Sequence, residues 1–130
     1  MRDAAMRLLI DLAEAPGRGD GDSHDARLAE LVADIRANPA REWPMEELVS
    51  RAAMSVPVLT DRFRRLTGLP PHQFMVSCRI ERAKEALERT DTPVWRIAGD
   101  AGYATAAHFV CVFRRETGMT PALWRKRHAH

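Results

Sequence analysis

Phe63-Arg64-Arg65-Leu66-Thr67-Gly68-Leu69-Pro70-Pro71-His72-Gln73-Phe74 is repeated, at a shift of 50 positions, by Phe113-Arg114-Arg115-Glu116-Thr117-Gly118-Met119-Thr120-Pro121-Ala122-Leu123-Trp124. The Phe-Arg-Arg, the Thr-Gly and one proline are identical, and an aromatic residue closes each copy. Upstream the match continues at a shift of 49, with Leu48-Val49 against Ile97-Ala98 and Met54 against Tyr103, so the second copy holds one extra residue in its turn. Two copies are too few for a solenoid and fit a duplicated subdomain instead.

The apolar spacing around these copies is helical throughout. Leu28, Leu31, Val32 and Ile35 predict a helix from Asp25 that ends near Asn38-Pro39. Met45, Leu48, Val49 and Ala52 predict a short helix after Pro44. Ser55 reads as the N-cap of the next helix, which carries Leu59, Phe63 and Leu66 to Thr67-Gly68. Pro71 opens a long helix to about Arg89. Thr92 and Pro93 read as the cap and first residue of a helix bearing Ile97, Ala98 and Ala101; Thr105 caps one bearing Phe109, Val112 and Phe113, and Thr120-Pro121 starts the last. No segment alternates with period two, so the expected class is all-α: two helix-turn-helix subdomains, about 45–67 and 94–117, joined by a long linker helix. Ahead of them, 1–24 reads as a short amphipathic helix (Asp3 to Glu14) and a Gly-rich linker from Pro16 to Ser23, a remnant of an upstream domain; residues 25–130 make the main domain.

The 130 residues carry a formal charge of +2, which hides an asymmetry. Residues 1–50 hold 6 Arg against 11 Asp and Glu, whereas residues 51–130 hold 14 Arg and Lys against 7. The basic part calls for an anionic partner. Lys84 and Lys126 are the only lysines, and the planar arginine fork suits phosphates and guanine edges. No apolar stretch approaches the roughly 20 residues that cross a bilayer, and no secretory signal is legible, so a cytoplasmic protein without membrane attachment is expected. No phosphate-binding glycine loop, paired catalytic carboxylates or HExxH is present, and Cys78 and Cys111 have no general base beside them in sequence. No enzymatic activity and no cofactor are expected. His108 and Cys111, three apart on one face, are too few to hold a metal.

A helix-turn-helix buries the inner face of its second helix and offers the outer face to a major groove. In the first copy Leu48 and Val49 would pack under Leu59 and Phe63, leaving Val56, Pro57, Thr60, Asp61, Arg64 and Arg65 outward or at the flanks. In the second, Ile97 and Ala98 would pack under Phe109 and Phe113, leaving Ala106, Ala107, Val110, Cys111, Arg114 and Arg115. Pro57, Thr60, Asp61, Ala106, Ala107, Val110 and Cys111 are thus base-contact candidates, and Arg64, Arg65, Arg114 and Arg115 either contact phosphate or form a solvated face. Arg79 and Arg82 either reach an anion or pair with Glu81, Glu85 or Glu88. Trp43 and Trp95, near the starts of the two first helices, either pack against a sugar–phosphate backbone or staple the helix ends, the structural role being favoured for Trp43.

The blocks from Leu48 to Trp124, including Arg79-Ile80-x-x-Ala83, Ile97-Ala98-x-x-Ala101-Gly102-Tyr103 and the two Phe-Arg-Arg-x-Thr-Gly repeats, resemble the DNA-binding domain of the AraC/XylS transcription regulators. The resemblance extends back to about Leu28. It implies sequence-specific binding of double-stranded DNA by two recognition helices in successive major grooves, RNA polymerase as a further partner, and an effector-binding or dimerisation domain outside this chain. Members of that family commonly carry polar or basic residues where Asp61 and Cys111 stand. The second motif is therefore expected to read bases less than the first. The competing reading is a protein-interaction or accessory domain on the same scaffold, with the apolar face at Ala106, Ala107, Val110 and Cys111 recruiting a protein.

Overall fold

In the first repeat the chain reverses between two helices at Ala53, which sits in the left-handed region at φ 57°; in the second, the matching residue is Gly102 at φ 97°. These reversals appear in a computed structural model that describes residues 20–128. Seven helices are present among them: α1 (Asp20–Ala37), α2 (Met45–Ala52), α3 (Val56–Thr67), α4 (Pro71–Arg89), α5 (Val94–Asp100), α6 (Ala106–Thr117) and α7 (Pro121–His128). No strand occurs among the described residues. The expected helix at Asp3 to Glu14 lies outside them. Helix α1 begins at Asp20 rather than Asp25; once a helix is nucleated, each further residue adds a hydrogen bond, and one glycine costs only about 1 kcal/mol.

The chain divides into two compact units, bridged in sequence by α4. In the first, α1 packs on α2 and α2 on α3. Leu31, Val32, Ile35, Leu48, Ala52, Leu59 and Phe63 are fully buried there, and Phe63 meets Phe74 edge-on at 5.4 Å. Burying each large apolar side chain contributes about 1.5–3 kcal/mol. Arg51 pairs with Asp34, and Arg62 pairs with Asp25 at 2.9 Å, tying α2 and α3 back to α1.

The second unit has its own core of Ile80, Ala83, Leu87, Ile97, Ala98, Tyr103, Phe109, Val112 and Phe113, with Val94, Ala106 and Trp124 packed against it. Two arginines act as clamps within it. Arg79 donates from Nε to the Pro39 carbonyl at 2.7 Å and from Nη2 to the Arg41 carbonyl at 3.3 Å, with its guanidinium 5.3 Å from the Tyr103 ring centre. Arg125 donates to the carbonyls of Leu87, Thr90 and Thr92 at 3.1, 3.0 and 2.7 Å, satisfying one acceptor in the last turn of α4 and two in the connection to α5. The Trp124 indole donates to Glu88 at 2.9 Å.

The duplicated Thr-Gly serves the same end in both units. Thr67 bonds to the Phe63 carbonyl at 2.8 Å and accepts from the Leu69 amide at 3.1 Å; Thr117 repeats this with Phe113 and Met119 at 2.8 and 3.1 Å. Gly68 and Gly118 then take the left-handed cap at φ 89° and 85°. The starts of the helices differ more. Thr105 caps α6 by accepting from the His108 amide at 3.1 Å. Ser55 occupies the same place before α3 but makes no side-chain cap bond, although the amide equivalent to that of His108, at Val58, is there to be accepted from. Helix α5 starts one residue later than expected: Pro93, in extended geometry, is its N-cap, and its carbonyl accepts from Arg96 and Ile97 at 3.0 Å each. Pro44 does the same for α2.

Candidate nucleic-acid interface

The inner face of α3 is fixed by Leu59, Phe63 and Thr67, and that of α6 by Phe109, Val112 and Phe113. With about 100° between successive residues, the opposite direction falls on Asp61 in α3 and on Cys111 in α6. Both are exposed. Around Asp61, within about 60°, stand Pro57, Val58, Arg64 and Arg65, all exposed. Around Cys111 stand the equivalents Ala107, His108, Arg114 and Arg115, also exposed.

Six of the candidates named from sequence therefore sit on the outward faces with their arginines: Pro57, Asp61, Ala107 and Cys111 centrally, Thr60 and Val110 at the half-buried margins. Ala106 does not. It lies about 140° from Cys111 and packs against the core of the second unit. The residues that sequence reasoning passed over are Val58, which is 44% exposed, and His108. Counting 100° steps from the Phe63 and Phe113 anchors would have found them.

Charges on the two faces are placed differently. On α3, Asp61 pairs with Arg65 at 3.2 Å while both remain exposed, an arrangement worth only about 0.3–0.5 kcal/mol. On α6, Arg115 lies 3.5 Å from Glu116. Arg64 and Arg114 are exposed and form no ion pair among the described residues. Arg79 is taken up by backbone carbonyls, the alternative that the sequence did not suggest. Trp43 is buried and donates to the Asn38 carbonyl at 3.0 Å, a structural role, whereas Trp95 is 68% exposed at the start of α5.

His108 is held in place by its neighbours. Its amide is bound by the Thr105 hydroxyl, and its ring stands edge-on to the Tyr103 ring at 5.3 Å and 86°. Tyr103 itself is buried, its hydroxyl has no hydrogen-bond partner among the described residues, and burial pushes the phenol above its usual range despite the nearby Arg79. Among the described residues no group of three or more His, Cys, Asp or Glu is placed to hold a metal, and no helix is long and apolar enough to cross a membrane.

A short first helix, a tight reversal and a second helix with a buried aromatic face and an exposed arginine-bearing face, present twice, define a tandem helix-turn-helix protein. The profile of a family described as a helix-turn-helix domain matches residues 48–127. Among relatives, the HTH-type transcriptional activator RhaS of Escherichia fergusonii is 32% identical over 116 residues, covering 89% of this chain and 42% of that protein. The crystal structure of the DNA-binding domain of AdpA in complex with a target DNA is 35% identical, covers 78% of this chain and 91% of that one, and superposes with a TM-score of 0.72. An AraC-type regulator from Chromobacterium violaceum shares the fold, with a TM-score of 0.71 at 23% identity over 80% of this chain and 93% of its own. The chain belongs to the AraC/XylS family of helix-turn-helix DNA-binding domains, a family of binding domains rather than enzymes. It spans about two fifths of the length of the RhaS relative.

Proposed function

We propose that this chain is the DNA-reading part of a cytoplasmic transcription regulator, with α3 and α6 each entering a major groove. The observation that carries the reading is the duplicated outward face: each recognition helix buries its aromatic side and exposes an arginine, Arg64 or Arg114, that has no ion pair among the described residues, one turn beyond the centre of the face. A groove about 12 Å wide admits such a helix. In this reading Arg64, Arg65, Arg114 and Arg115 contact phosphates and fix the register. Pro57, Thr60, Asp61, Ala107, Val110 and Cys111 face base edges, whereas Ala106, packed against the core, makes no base contact. Asp61 accepts from a cytosine amino group, and the small apolar residues of α6 meet thymine methyls. Trp95 packs against the sugar–phosphate backbone, where the first helix of such a motif crosses it.

The greater length of the RhaS relative supports an effector-binding or dimerisation domain outside this chain, and that relative's description as a transcriptional activator fits RNA polymerase as the partner through which binding changes transcription. Selection of sites from random duplexes tests the reading. Enrichment of a defined sequence, bound at least about a thousandfold more tightly than random duplex, is the expected result. Equal affinity for every sequence would favour the protein-recruiting role for the apolar face of α6.

A further inference from the structure

The recognition helix of the second unit has one side chain near its start that can hydrogen-bond to a base, and it is not among the residues the repeat first draws attention to. His108 is the third residue of α6, exposed, and about 60° from the centre of the outward face. Recognition helices read base edges mainly with their N-terminal residues. The imidazole is also preset: Thr105 fixes the backbone of that first turn through the His108 amide, and the buried Tyr103 ring fixes the imidazole plane edge-on at 5.3 Å. Its neighbours on the face, Ala107 and Cys111, are small. The equivalent residue in the first repeat is Val58, exposed but without hydrogen-bonding capacity.

We infer that His108 is a specificity-determining residue of the second motif, its ring N–H donating to the major-groove edge of a purine, with guanine preferred. The proposal rests on the DNA-binding reading above and names what that site recognises. A neutral imidazole has one ring N–H to give. Guanine offers two acceptors, N7 and O6, to a single donor, whereas adenine offers N7 alone beside an amino group that repels a donor; pyrimidines offer no N7. A ring already held by Tyr103 loses little freedom on binding, which favours a discriminating contact over a mobile one. The second motif is then not silent. It reads one purine through His108 and the remaining positions through apolar contact.

The test is a base-by-base affinity profile of the full chain on duplexes derived from its selected site, comparing wild type with His108→Ala and His108→Gln, with circular dichroism to confirm that each keeps its helices. The expected results are a preference for guanine of roughly tenfold at one base pair in wild type, its loss in His108→Ala, and a shift toward adenine in His108→Gln, because glutamine pairs bidentately with adenine. An unchanged salt slope in both variants belongs with that outcome. An equal loss on all duplexes with a salt slope smaller by about 1 would make His108 a phosphate contact and overturn the proposal while leaving DNA binding intact. Unchanged profiles in both variants would also overturn it. Failure of wild type to prefer any duplex would instead bring down the DNA-reading function beneath it.

Discussion

Replacing Gly102 by alanine separates two demands that the second turn makes on one residue. The backbone there is left-handed at φ 97°, and a Cβ would stand 2.6 Å from the Ala40 carbonyl oxygen and 3.0 Å from the Ala40 Cα. Left-handed geometry costs a β-carbon about 1–2 kcal/mol, and displacing packed backbone costs about 1–3 kcal/mol more. Reduced freedom of the unfolded chain returns about 0.4–1 kcal/mol, leaving a net loss of about 1–4.6 kcal/mol, centred near 3. Gly118→Ala in the same unit is the control, since it shares the backbone strain at φ 85° but meets nothing within 4 Å; its loss is about 0–1.6 kcal/mol, centred below 1. Native-state hydrogen exchange at the Val112 and Phe113 amides, in the core of this unit, reads both. Protection falls by about a hundredfold in Gly102→Ala and by no more than about 15-fold in Gly118→Ala. Equal losses in the two variants would show that the close approach of Ala40 does not matter. Ala53, the exposed counterpart of Gly102, carries its β-carbon in the same left-handed region at φ 57°.

Thr105→Ala removes the acceptor of the His108 amide and should destabilise the chain by about 1 kcal/mol, whereas Ser55→Ala, which removes no cap bond, should change urea unfolding by less than about 0.5 kcal/mol. Tyr103→Phe deletes a buried hydroxyl that has no partner among the described residues and should be neutral or stabilising by up to about 1 kcal/mol in the same assay. Because burial raises this phenol above its ordinary 10.0, the folded state keeps the proton longer than the unfolded chain. The stability that follows is intact below pH 10 and is lost as pH climbs through the folded value, a decline that Tyr103→Phe should abolish.

The sequence carried the fold through the repeat. Helical spacing and the Thr-Gly caps were legible because each depends on residues close in the chain: Thr67 and Thr117 bond within their own turns, and Phe63 and Phe113 define the buried side by period alone. What it hid depends on contacts distant in sequence or on single steps of register. Arg79 finds carbonyls about forty residues away, and Arg125 finds three more in the last turn of α4 and the connection after it, so neither behaves as a surface charge. Pro93 serves as a cap because its extended backbone, not a side chain, offers the acceptor. The inward turn of Ala106 and the outward one of His108, neither anticipated from the sequence, share one cause. Near a helix start, two residues apart means about 200° of rotation, enough to exchange core for groove.

Arg64 and Arg114, one on each recognition helix, are where DNA binding is most directly tested, by the salt dependence of duplex affinity for wild type, Arg64→Gln and Arg114→Gln. Each variant should bind all duplexes more weakly by a similar factor, with the slope of log affinity against log salt reduced by about 1, because each loses one phosphate contact. Unchanged affinity and slope in both variants would mean that these faces point to solvent and that the duplicated helices do not meet DNA in the way described.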